Sequence, residues 1–275
     1  SMKQMIKIQL KQALTSRGFI FSLLIGLAIC VTHFIFEVIP YYEGMLMNLE
    51  SDYMLKNVYS TYILWIGQEN RTIFSFAYFL LIPLLAALPF GTSFFKEAKS
   101  GYIRCICTRT SKKNYCYSKY IATFISGGLA VIIPLLVNFI LTAFIFPLSN
   151  PEVVDSVLHI RANHLFSHLC YTSPGIYMII RLVFIFIFSG LLATYTIYAS
   201  YFSHYGFIVL CTPFILYLFL ISLFNLLDLS SWYPNFILNP GFGIESMLPL
   251  LLEGLVILIP TLHKFLIKGR KSDVL

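Results

Sequence analysis

Three stretches of this chain, residues 73–95, 121–146 and 206–227, each run past twenty residues without one Asp, Glu, Lys or Arg. A backbone wrapped in so much apolar side chain has one solvent that suits it, the hydrocarbon of a bilayer. There, every N–H and C=O must be satisfied inside the segment, which restricts the chain to helices or a closed barrel. A barrel would show short alternating strands, whereas these runs are continuous, so helices are expected. A helix needs about 20 apolar residues to cross the hydrocarbon core. Three further runs qualify, 18–39, 175–202 and 248–267, which makes six transmembrane helices in an all-α integral membrane protein. Composition agrees: 58% of the 275 residues are hydrophobic and 11% charged, against about 25% charged in soluble domains.

Orientation follows from Lys and Arg placement. With six spans, fifteen of the 19 Lys and Arg fall on the side that holds both termini. They are Lys3, Lys7, Lys11 and Arg17 at the start, Lys96, Lys99, Arg104, Arg109, Lys112, Lys113 and Lys119 between spans two and three, and Lys264, Lys268, Arg270 and Lys271 at the end. The other side has Lys56, Arg71 and Arg161, while Arg181 lies within a span. Both termini are therefore expected in the cytoplasm of a multi-pass plasma-membrane protein, bacterial in type. The net charge of +7 reflects topology and anionic-lipid contact, not nucleic-acid binding. The first run is too long for a signal peptide and no small-residue cleavage pattern follows it, so it is expected to be retained.

The chain reads as a single transmembrane domain, 1–275, without linkers or internal repeats. Residues 2–17 place Lys3, Lys7 and Lys11 on one face and Met2, Ile6, Leu10, Ala13 and Leu14 on another, the pattern of an amphipathic helix in the cytoplasmic interface. Simple extension of the first span fits that pattern equally. In the second outer loop, Val154, Val157, Leu158, Leu165 and Leu169 suggest a short amphipathic helix. Pro83, Pro89, Pro134, Pro213 and Pro260 fall within spans and are expected to kink them. Cys30 and Cys211 lie in spans, Cys105, Cys107 and Cys116 face the cytosol, and Cys170 alone lies outside, so no disulfide framework is expected.

Much catalytic chemistry has no residues to support it. A phosphate-cradling glycine loop followed by Lys and Ser/Thr is missing, as are His-Glu-x-x-His and Gly-x-Ser-x-Gly. The chain itself is expected to bind no nucleotide and to need no cofactor. Arg181 and Glu253 each sit roughly 8 Å below the outer boundary, where charges pair or face a cavity. The alternatives are a pair or vestibule formed by the two, or separate snorkelling to the interface. His164 with His168, and Asp155 with His159, have the i, i+4 spacing that can seat zinc. Two pairs on different faces make no four-ligand site, and Cys105, Cys107 and Cys116 lack a fourth thiolate, so no metal is expected.

Residues 96–120, KEAKSGYIRCICTRTSKKNYCYSKY, remain: the densest cationic cluster, set between two hydrophobic blocks. Glu97, Ser100-Gly101, the apolar Tyr102-Ile103, Arg109-Thr110-Ser111-Lys112-Lys113 and Ser118-Lys119 resemble, in that order, a motif of membrane subunits of type-2 ABC exporters (ABC-2 permeases, with an ABCG-like fold). That motif runs acidic residue, Ser/Thr-Gly, apolar stretch, R-P-x-S/T-R/K turn and Gly-Lys. Thr110 stands where proline is common and Ser118 where glycine is common. The resemblance covers the whole chain in topology and about 25 residues in motif.

It implies that 96–120 is a coupling element docked on a separate cytosolic ABC ATPase, present in two copies with ATP and Mg. Glu97, Ser100, Gly101, Arg104, Arg109, Lys112 and Lys113 would make the contacts, the charged ones as charge-assisted hydrogen bonds. The chain would pair with a second copy or a related permease and export a peptide, antimicrobial or lipid-like substrate along a path lined by spans one, two and five. The alternatives are an ATP-independent channel or small transporter, with the segment a plain positive-inside loop, and an intramembrane enzyme, disfavoured by the missing catalytic groups.

Overall fold

The computed structural model describes residues 2–50, 59–69, 71–151, 160, 161 and 163–268. They form helices joined by short turns, with no strand among the described residues. Helix α1 (Met2–Leu14) turns at Ser16 into α2 (Arg17–His33), which passes through a π-helical turn, Phe34–Val38, into α3 (Ile39–Glu50). The wide turn immediately precedes Pro40, whose missing N–H and bulky ring disturb the ladder behind it. A short α4 (Thr61–Leu64) precedes α5 (Ile73–Ala87), α6 (Ser93–Lys99), α7 (Tyr102–Cys107) and the long α8 (Lys112–Ala143). Then come α9 (Ser167–Thr172), α10 (Pro174–Ala199), α11 (Gly206–Leu226), α12 (Pro234–Leu238) and α13 (Leu248–Thr261), which continues as a π-helical turn, Leu262–Lys268.

Five helical stretches are long and apolar enough to cross a membrane: Arg17–Met47, Lys112–Ala143, Pro174–Ala199, Gly206–Leu226 and Leu248–Phe265. This is a multi-pass membrane architecture. The expected second span, 73–95, is not continuous: α5 stops after 15 residues, a rise of about 22 Å, and the chain turns at 88–92 before α6. Pro89 has no N–H for the Leu85 carbonyl and its ring crowds that oxygen. The serine hydroxyls of the neighbouring helix satisfy the exposed backbone. Ser22 Oγ donates to the Leu85 oxygen at 2.7 Å and Ser16 Oγ to the Pro89 oxygen at 2.6 Å. Those hydroxyls fasten α2 to the break.

Helices α8 and α10 share the most extensive contact of any two helices in the bundle. Phe124 of α8 lies over Gly190 of α10, and Phe186 of α10 lies over Gly128 of α8. A Cβ on Gly190 would come within 2.8 Å of the Phe124 ring, and one on Gly128 within 2.5 Å of the Phe186 ring. The two rings meet edge to face, 5.7 Å between centroids, a favoured aromatic geometry. A Phe four residues before a Gly on each helix thus builds a reciprocal knob and hole.

Helix α1 packs along α8 with Ala13 in a small cluster with Phe90 and Ala122, and its Lys3, Lys7 and Lys11 are exposed. Toward the other end of the bundle, residues 60–69 fold inward, with Thr61, Ile63, Leu64, Trp65, Ile66 and Glu69 all buried. Gly241 backs onto this segment so closely that a Cβ would lie 2.1 Å from the Gln68 carbonyl oxygen. In the second loop the described helix is α9; Val154, Asp155, Val157, Leu158 and His159 lie outside the described residues.

Candidate functional site

The basic segment folds as two short helices on a rigid footing. Phe94 of α6 and Ile103 of α7 bury into one cluster with Tyr115 and Cys116 of α8, Ile197 of α10 and Phe265. The Ser100-Gly101 step between α6 and α7 is a left-handed turn, with Gly101 at φ 73°, a conformation that costs a side chain strain and glycine little. Ser111 caps α8 by accepting the Asn114 N–H at 3.3 Å, one of the hydroxyl caps that suit a helix start. Arg104, Arg109 and Lys113 are exposed and Lys112 is half-buried.

Glu97 behaves differently from those cations. Its Oε1 accepts from Lys119 Nζ at 2.7 Å and its Oε2 from the Tyr115 hydroxyl at 2.5 Å. Lys119 is fully buried; its Nζ also donates to Gln9 Oε1 at 3.3 Å and lies 3.9 Å from the centroid of the Phe90 ring. Both carboxylate oxygens of Glu97 are thus engaged inside the chain. The carboxylate ties α6 to α8, and through Lys119 to α1, instead of standing clear for a partner. Lys119, the lysine that closes the motif as the chain enters α8, is the centre of this strut. Between α1 and α7 runs a groove of about 590 Å³ lined by Met5, Ile8, Gln12, Tyr102, Ile106 and Arg109.

The other expected pair does not form. Arg181 and Glu253 are each 2% exposed, but Arg181 Nη2 donates to the carbonyl oxygens of Ile237 at 3.0 Å and Asn239 at 2.7 Å, with Phe242 at 3.4 Å. The guanidinium closes the carbonyl end of α12 and the turn after it. The Glu253 oxygens are buried with no hydrogen-bond partner among the described residues.

The six cysteines are all free, and no group of three or more His, Cys, Asp or Glu is placed to hold a metal among the described residues. His164 is spent locally, its Nδ1 accepting the Arg161 N–H at 3.0 Å. Burial pushes it below the usual imidazole range, with Glu245 opposing.

A third polar cluster has no sequence motif to announce it. Near the far end of α8, Asn138 joins Cys30 and His33 of α2 to Ile66 of the inward-folded segment, and His33 reaches Glu69 at 3.0 Å. His33 and Asn138 are 0% exposed and Glu69 3%. In sequence His33 and Asn138 are polar residues inside apolar runs and Glu69 lies in a polar loop stretch; only the fold brings them together.

No family model, curated protein or solved structure matches the chain.

Proposed function

We propose that the chain is the permease subunit of an ATP-driven ABC exporter of the second type. It crosses the plasma membrane six times, with α5 as the short second crossing and both termini in the cytoplasm. A separate cytosolic ATPase, in two copies with Mg and ATP, engages residues 96–120. A second permease completes a path for a hydrophobic or amphipathic substrate moving outward. The observation that carries this reading is the strutted basic segment. Arg104 on α7, Arg109 in the turn after it and Lys113 in the first turn of α8 are exposed around a two-helix unit whose Glu97 is bonded to Lys119 and Tyr115 at the head of α8. A force applied to those cations passes into a 32-residue helix without first being absorbed by a slack loop. A loop serving only as positive-inside ballast has no use for such bracing.

The reading is tested by purifying the tagged chain from its own membranes and identifying the ATPase that accompanies it. Charge reversal at Arg109→Glu, Lys112→Glu and Lys113→Glu together replaces attraction by repulsion. Losing buried charge pairs at an interface costs about 2–5 kcal/mol, so ATPase recovery falls more than tenfold. An ATPase retained by the triple variant overturns the assignment of the segment, and no ATPase with either protein favours the ATP-independent transporter.

A further inference from the structure

Asn138 fixes its own orientation. Its Oδ1 accepts the Ile66 N–H at 2.8 Å, so its nitrogen is the atom facing the Cys30 carbonyl oxygen at 2.9 Å and His33 Nδ1 at 3.2 Å. An amide nitrogen only donates. Nδ1 must therefore be the accepting nitrogen of the ring, and the single proton of a neutral His33 sits on Nε2, which donates to Glu69 Oε2 at 3.0 Å. The tautomer is inferred from the network of partners, and every partner agrees with it.

A second proton has one place to go, Nδ1, where it meets the Asn138 amide donor to donor. Turning that amide over repairs the contact with His33 and breaks two others. It sets a nitrogen against the Ile66 N–H and an oxygen against the Cys30 carbonyl. Either way the knot that holds the inward-folded segment to α2 and α8 loses bonds in a buried place, where an unmade hydrogen bond is expensive.

The groups around the ring come from several elements. Glu37, one turn along the same helix, interacts electrostatically with His33 and Glu69. Tyr41 interacts with Glu69, Tyr59, Glu37 and Arg71. The loop brings Glu69, α8 brings Asn138, which does not titrate, and α5 presents the Phe74 ring edge-on at 6.4 Å. Asn138 leaves no acceptor for a second proton at Nδ1. We propose that His33 is a proton-operated latch: the neutral ring locks residues 60–69 into the bundle, and protonation at Nδ1 releases them. Stability of the locked segment is present at neutral pH and lost as acid charges the ring. The latch is independent of whether an ATPase docks at the opposite end.

Hydrogen–deuterium exchange by mass spectrometry tests this on the full chain in lipid nanodiscs between about pH 5 and 8, the range over which histidine titrates. Rates are corrected for the intrinsic effect of pH. Acidification is expected to speed exchange across 60–69 at least about tenfold, the mark of a local opening. Asn138→Asp supplies carboxylate oxygens to both Ile66 N–H and a protonated Nδ1 while losing the Cys30 bond at every pH, so that variant shows no acid-driven rise, whatever its absolute level. His33→Gln removes the titration and gives a flat profile, whatever its absolute level. Nitrogen-15 histidine spectra of the wild type should show the Nε2–H tautomer at neutral pH. A flat wild-type profile, an acid-driven rise that survives in His33→Gln or Asn138→Asp, or an Nδ1–H tautomer overturns the proposal.

Discussion

Burying Lys119 strips a strongly hydrated ammonium of its water, and Glu97, Gln9 and the face of Phe90 replace that shell. Removing one partner of such a buried pair leaves the other charge uncompensated, a loss of about 3–5 kcal/mol, whereas replacing both together is far less harmful. Lys119→Met is therefore expected to lower the thermal unfolding temperature of the detergent-solubilised protein clearly. Adding Glu97→Gln should restore most of the loss, a coupling that a double-mutant cycle reads directly. Equal melting of single and double variants would show that the pair contributes nothing.

The same residues mark how far a sequence speaks about single side chains. The order Glu97, Ser100-Gly101, Arg109 was legible, and so was the glycine turn. That Glu97 faces inward was not, because its partners Tyr115 and Lys119 lie 18 and 22 residues away. Arg181 and Glu253 both fall in helices long and apolar enough to cross a membrane, and depth alone suggested a pair. Depth says nothing of direction around a helix, and Arg181 points to the carbonyls of 237–242.

Five of the expected spans could be read from hydropathy because transfer of apolar side chains to lipid is summed along the helix and tolerates local detail. The break in the remaining one depends on detail: Pro89 frees the Leu85 carbonyl, and Ser22 and Ser16 on α2 stabilise the turn. A kink at the proline was foreseeable, but a full helix end required hydroxyls from another element. The α8–α10 contact was likewise hidden. With no hydrophobic drive between helices in lipid, close approach at small residues carries the association. Gly190→Leu pushes side-chain atoms into Phe124, whose ring and carbonyl oxygen already lie 2.8 and 2.9 Å from an ideal Cβ. Overpacking of this kind costs about 1–3 kcal/mol. A lowered unfolding temperature is expected, with Gly190→Ala milder; an unchanged one would mean that α8 and α10 separate freely.

Across the whole molecule, α8 is the common axis. Lys119 and Asn138 sit 19 positions apart on it, about 28 Å at 1.5 Å per residue, so the strut and the latch occupy opposite ends of one helix. Which end meets the cytoplasm rests on the fifteen-to-three division of Lys and Arg, and cysteine chemistry tests it. The nucleophile is the thiolate, so reactivity follows exposure and pKa. Cys105 is exposed on α7 beside the basic surface. Cys170, in the loop assigned to the other face, is buried and its thiol is pushed up to about 12 by desolvation. At neutral pH it stays protonated; its thiolate grows only as the medium becomes strongly alkaline. In a variant that keeps Cys105 and replaces the other five cysteines with serine, a membrane-impermeant maleimide should label inverted vesicles at pH 7 and leave right-side-out cells unlabelled until they are permeabilised. Restoring Cys170 alone should give little labelling from either side at that pH. Prompt labelling of Cys105 on intact cells would invert the topology and carry the basic surface away from any cytosolic ATPase.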